Sequence, residues 1–327
     1  MQRNFHLDQM RVISCIMVIA IHVCNIYNRA FPDISQFNYI IAAFINSFSR
    51  ISVPIFFMVS GALMAGREPD LQKSLKRFLK YFLITIFWFI FYLLWTSLYL
   101  NDTYDFHNIL TTPTSKHLWF LYALLSIYLA LPLIQTLIRN LSDKMLYYML
   151  ILFAVSIFGG YILEFIGVSV KYPIAIISQN QYLFFFILGY VLYNKKYKIS
   201  GWFFIVGCLA AAICTIIVSY IEGKHNEVIF QYRNPMIVLA SVGAFIIMLK
   251  FPKSIPQAWE KFVSHVSDNS FGIYVFHAVF LNIIDKEIIM YKVPAWFGIL
   301  LFVAIIFILS DIFVNIFRKI KYINYFF

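Results

Sequence analysis

Long apolar runs almost free of charge govern what this chain can fold into. A helix needs about 20 mostly apolar residues to cross a hydrocarbon core ~30 Å thick. Ten stretches of the 327-residue sequence meet or approach that length: 11–30, 39–64, 78–100, 117–138, 145–165, 174–194, 201–221, 234–250, 270–290 and 293–317. The eighth is short and opens at Asn234-Pro235, and the ninth carries Asp285, Lys286 and Glu287 near its end. Only 13% of residues are charged, against roughly 25% in a soluble domain. The expected fold is therefore all-α: a polytopic membrane protein of about ten transmembrane helices, forming a single domain over residues 1–327. Loops are short and no repeat of 20–50 residues stands out, so any chemistry belongs in the membrane or at its surfaces.

The net charge of +11 would suit a nucleic-acid binder, but the cations sit in short connections between apolar runs. Orientation follows from Lys and Arg. With the N-terminus inside, cytoplasmic segments hold 18 of these residues and outer segments 7, so both termini are expected in the cytoplasm. Asp8, Arg11 and His22 make the first run an uncleaved helix rather than a signal peptide. Cys15, Cys24, Cys208 and Cys214 all lie in apolar runs, with no CxxC or Cys/His set. They read as small buried hydrophobes, giving neither a disulfide nor a metal site. The abundance of Ile, Phe, Tyr, Lys and Asn fits an AT-rich bacterial genome.

Ionisable groups inside a span are expensive and point to function by default. Arg11 and His22 are 11 residues apart, almost three helical turns, which puts both on one stripe about 16 Å apart. Asp8 can pair with Arg11 across three residues. Arg50 lies at a similar depth from the opposite face, and its permanent charge needs a partner or water. Each has a bland alternative: a snorkelling Arg11, a His22 bonded to a neighbouring helix, an Arg50 capping carbonyls near Pro54. Ser60 and Gly61 follow on the same helix, where small residues also allow close helix approach. His117 and Trp119 fall at the outer mouth of the fourth span, where Trp is also a normal interfacial residue. His277 lies about 10 Å into the ninth span from the cytoplasmic side, and Asp311 reaches the interface without an assigned role. The connection from Arg67 to Lys80 carries five cations, including Lys73, Lys76 and Arg77. It serves orientation and anionic lipid, or it receives a polyphosphorylated cytosolic donor.

LDQMR followed by His22, then VPIFFMVSGALM (53–64), HLWFLYALLSIYLALPLI (117–134) and SFGIYVFH (270–277), resembles the acyltransferase 3 family of integral membrane O-acyltransferases. Arg50 ahead of VPIFF is similar to the subgroup of surface-polysaccharide O-acetyltransferases that lack a periplasmic domain. Residues 131–269 carry no comparable motif. The resemblance implies about ten helices in the cytoplasmic (inner) membrane. It also implies transfer of an acyl group, usually acetyl from acetyl-CoA, to a hydroxyl of an outward-facing glycan or its lipid-linked precursor. Arg11 and His22 match the family's essential pair.

Such a reaction needs a base for the hydroxyl proton and a group for the developing oxyanion. His22 suits the first role, as general base or transient acyl acceptor, and Arg50 the second, or the orientation of His22. Arg11 would hold the phosphate or pantetheine end of the donor, helped by Arg67, Lys73, Lys76 and Arg77. His117, Trp119, Ser60 and His277 are the expected acceptor contacts. This polar column requires the first, second and fourth helices to pack together. No permanently bound cofactor and no metal are expected, acyl-CoA being the donor substrate and membrane lipid the surroundings. The competing reading is a glycan or lipid-linked-sugar exporter or flippase that uses the same Arg and His without acyl chemistry.

Overall fold

The computed structural model describes residues 3–108, 112–168, 180–195, 200–251 and 256–327. Lys171, Lys196, Lys198 and Lys253, counted above for orientation, and positions 174–179 of the sixth span lie outside the described residues. The described chain is helical with no strand: α1 (Phe5–Arg29), α2 (Gln36–Ser49), α3 (Ser52–Met64), α4 (Leu71–Leu98), α5 (Trp119–Asn140), α6 (Asp143–Phe165), α7 (Gln181–Asn194), α8 (Trp202–Glu222), α9 (Pro235–Leu249), α10 (Gln257–Ile288) and α11 (Ala295–Phe317).

Among the described residues, eight units are long and apolar enough to cross a membrane: α1, α2 with α3, α4, α5, α6, α8, α9 and α11. The ten expected spans thus comprise eight clear candidates, the 14-residue α7, and α10. α10 starts at Gln257, 13 residues before the expected 270, because a polar stretch from Glu260 to Asn269 continues the same helix. Its interior polar groups and the Asp285-Lys286-Glu287 end set it apart from the eight clear spans.

Two further boundaries differ from expectation for local reasons. The basic segment 71–80 is helix rather than loop: Asp70 caps α4 by accepting from the Lys73 backbone N–H at 2.9 Å, the usual service of an Asp N-cap. The second span is broken at Arg50-Ile51. Pro54 has no N–H for the Arg50 carbonyl, and its ring would clash with it in a continuous helix.

α1 is the hub, packed against α2, α3, α9, α10 and α11. Around it, α3 crosses α7, α8 pairs with α9, and α4 pairs with α5. The outer faces are apolar and exposed, as along Leu75, Leu79, Phe82, Ile86 and Ile90 of α4, a stripe at helical spacing that suits contact with lipid. Cys15, Cys24 and Cys208 are buried and Cys214 is only half-buried; all four are free thiols.

Gly61 explains how α3 and α7 come so close. A Cβ there would sit 1.7 Å from the Phe186 carbonyl oxygen, and one at Gly189 would sit 2.1 Å from the Met58 carbonyl oxygen. Backbone meets backbone, as in small-residue membrane crossings. Gly61→Ala therefore destabilises the protein by about 1–3 kcal/mol or more through overpacking. Gly159→Ala, with nothing within 4 Å, does not. Thermal unfolding of both variants in detergent checks this, and equal melting temperatures would refute it.

Candidate active site

One stripe of α1 carries Arg11, Val18, His22, Asn25 and Arg29, spaced 7, 4, 3 and 4 residues apart. At 3.6 residues per turn these positions stay on one side of the helix along its length. We call the Arg11 end inner and the Arg29 end outer, following the Lys and Arg bias. A cavity opens at each end of the stripe.

The inner cavity, of about 250 Å³, is lined by Arg11 and Val18 of α1, Phe56 and Ser60 of α3, Tyr81 of α4, Phe120 and Tyr128 of α5, and Asp268 and Tyr274 of α10. α5 faces α1 across the cavity and meets α3 through Phe57–Phe120 at 4.9 Å and the Gln135 to Met64 carbonyl hydrogen bond at 2.9 Å, so the first, second and fourth spans converge around the polar stripe. Arg11 is oriented by Asp8 at 3.4 Å. Asp8 in turn accepts from Arg3 at 2.6 Å and from the Ser267 hydroxyl at 2.7 Å. Ser60 donates to the Phe56 carbonyl at 2.9 Å and sits on this inner side.

The basic residues of α4 divide. Arg77 lies over the Tyr128 ring at 5.7 Å and donates to the Met64 sulfur, next to the cavity. Lys73 is exposed and paired with Asp70, Lys76 is exposed, and Arg67 is half-buried in the turn before the helix.

Between the two cavities three histidines from distant parts of the chain converge. The His22 and His277 ring centroids are 5.0 Å apart, His117 and His277 5.2 Å, and His22 and His117 6.4 Å. The sequence places His117 at the outer mouth of its span and His277 about 10 Å into its own from the cytoplasmic side. His117 is instead 3% exposed, because the turn Lys116–Leu118 folds onto α10. His277 is fully buried, 20 residues into the lengthened α10 and about 30 Å from its start.

Their hydrogen bonds fix two tautomers, since a carbonyl can only accept. His117 donates from Nε2 to the Val275 carbonyl at 3.3 Å, so its Nδ1 accepts from the Ser115 hydroxyl at 2.9 Å. His277 donates from Nδ1 to the Tyr274 carbonyl at 2.5 Å, which leaves the Nε2 lone pair buried without a partner among the described residues. Tyr92 donates to Val275 at 2.7 Å, and Tyr274 donates to the His117 carbonyl, tying the frame together. The ring of His22 is half-buried and is held by no hydrogen bond among the described residues. Of the three rings it is the one with no hydrogen bond at either nitrogen among the described residues.

The outer cavity, of about 530 Å³, is lined by Asn25 and Arg29 of α1, Arg50, Trp119, Tyr182, and the segment Glu227–Arg233 before α9. Arg50 donates to Asn46 at 3.0 Å and to Asn25 at 3.1 Å, with its guanidinium carbon 4.9 Å from the Phe230 ring centre. It binds amide side chains instead of carbonyls near Pro54, and lies one helical turn outward of His22. Trp119 stacks on Tyr182 at 4.9 Å and lies 5.8 Å from Tyr232. Tyr182, Phe230 and Tyr232 were missed in the sequence; the only signal was an aromatic pair flanked by charges ahead of Asn234-Pro235.

Beside this cavity, His225 meets the Tyr39 hydroxyl at 3.1 Å. Burial pushes its pKa down to about 4, with Arg50 and Arg29 adding and Glu227 opposing. A folded pKa below the unfolded value of about 6.5 means that protonation favours unfolding. Stability is full above pH 6.5 and falls as the pH drops toward 4, by about 3 kcal/mol at most. His225→Asn should flatten this part of the melting-temperature profile; an unchanged slope between pH 6.5 and 4 would count against it.

No curated protein and no solved structure matches the chain. A family model described as an acyltransferase domain matches residues 4–314, a range that contains both cavities and the histidines between them. This multi-pass membrane chain belongs to that acyltransferase family.

Proposed function

We propose that the protein moves an acyl group, acetyl in the simplest case, from cytosolic acyl-CoA to a hydroxyl of a cell-surface glycan or its lipid-linked precursor, in the cytoplasmic membrane. The observation that carries this reading is His22, unbonded between an inner and an outer cavity on the stripe that begins at Arg11. The inner cavity is smaller than the roughly 300–1,000 Å³ of a pocket for a whole drug-sized ligand. It suits the slender pantetheine arm, with the nucleotide end outside near Arg77, Arg67, Lys73 and Lys76 and a phosphate or amide of the donor on Arg11.

The acceptor hydroxyl approaches from the outer side, past Trp119. His22 takes its proton as the oxygen attacks the thioester carbon. The carbon–sulfur bond then breaks, and the imidazolium returns the proton to the leaving CoA sulfur. Arg50, on the outward side of the reacting centre, orients the incoming acceptor. His277 and His117 wall the base, and Ser60 lines the donor arm's path.

The exporter reading lacks support now that the chain belongs to an acyltransferase family. The test is purified protein in nanodiscs with labelled acetyl-CoA and extracted surface glycan. Label in the glycan is the expected result; vesicles that move a glycan lipid without consuming acetyl-CoA would overturn the proposal.

A further inference from the structure

The charges around the outer cavity do not balance. Arg29 is paired with Glu227 at 2.7 Å, and Arg233 is paired with Glu164. Arg50 has no such partner: among the described residues no carboxylate pairs with it. Residues 1–2, 109–111, 169–179, 196–199 and 252–255 contain no Asp or Glu, so every carboxylate side chain of the protein is accounted for.

A half-buried guanidinium without a counter-ion is costly in a membrane protein. Here it is held in place by Asn46, itself fully buried, and by Asn25, which also accepts from Asn46 at 2.8 Å. Those bonds use Nε and one terminal amino group of Arg50. Amide oxygens orient the fork without neutralising it. The wall opposite is aromatic, with Trp119 stacked on Tyr182 and Tyr232 alongside, the kind of surface on which a sugar ring lies flat.

We infer that the outer cavity receives the anionic group of an acidic glycan acceptor, with Arg50 as its receptor and the Trp119 wall as the seat of the sugar ring. A guanidinium fork matches a carboxylate or a phosphate in geometry as well as charge. The anion can be a ring carboxylate or the phosphate of a lipid carrier; both put negative charge next to a saccharide. The inference rests on the proposed reaction only in calling the occupant the acceptor.

Binding to the purified full chain in nanodiscs tests it, followed by Trp fluorescence or calorimetry. The probes are a digalacturonate, the neutral digalactose of the same size, and farnesyl diphosphate as a short lipid-carrier mimic. The expected result is an anionic probe bound at least tenfold more tightly than digalactose. Arg50→Gln should erase that preference, and Arg50→Lys, which keeps the charge without the fork, should retain only part of it. The better of the two anionic probes identifies the source of the anion.

Equal affinity of wild type for charged and neutral probes overturns the inference, as does a preference that survives in Arg50→Gln. Should Arg50→Gln not fold, Arg50→Lys with an unchanged preference is equally fatal. Acyl transfer by a protein with no anionic preference would leave the reaction standing and remove the site. A preference without any consumption of acyl-CoA would do the reverse.

Discussion

His22→Ala loses about 10²–10⁴-fold in kcat for acyl transfer, the usual worth of a positioned general base, while the KM for acyl-CoA stays within a few-fold. The ring lies between the cavities and carries no hydrogen bond among the described residues, so its removal breaks no polar network. The variant should remain folded, as judged by monodisperse elution and circular dichroism. His22→Gln should be equally inactive, since an amide cannot accept and return a proton at neutral pH. A folded His22→Ala enzyme within fivefold of wild type would remove the base from α1. An acyl adduct on His22 in intact-mass spectra would instead make this residue a relay.

Arg11→Gln shifts the loss to the other constant. A charge-assisted hydrogen bond is worth about 1.5–3 kcal/mol, which is roughly 10–150-fold in the KM for acyl-CoA, with kcat changed little. The fold tolerates the change because Asp8 keeps its bonds from Arg3 at 2.6 Å and Ser267 at 2.7 Å. Arg11→Lys rescues only partly, because an ammonium lacks the planar fork. Initial rates over a range of acyl-CoA decide the matter: a fall in kcat at constant KM would move Arg11 from donor binding to chemistry.

The stripe on α1 was legible in the sequence because it is local: Arg11 and His22 share a face by helical periodicity alone. So was the membrane class, which needs only run length. The convergence of His117 and His277 on His22 was not. It depends on α10 extending through a polar stretch that hydropathy alone reads as loop, and on a short turn before α5 folding against α10. Arg50 was singled out for its depth, yet its partners Asn25 and Asn46 and its aromatic cover from Phe230 come from tertiary packing. The division of the α4 cations, with Arg77 at the cavity and Lys73 and Lys76 turned away, follows from a helix that Asp70 starts earlier than the apolar run does. The misses on α4 and α10 share one cause: polar residues that read as helix ends are parts of the helices.

The central place of α1 has a consequence for biosynthesis. It leaves the ribosome before α2 to α11, and three of its neighbours, α9, α10 and α11, follow all the other helices described above. About 230 residues separate its end from the start of α10. At roughly 5–20 residues per second, the newborn helix waits about 10–45 s before the surface that surrounds His22 exists. During that interval Arg11 and His22 stand in the bilayer without their final neighbours. Asp8, the α1 residue three positions before Arg11, is the one acidic group already at hand to steady the helix.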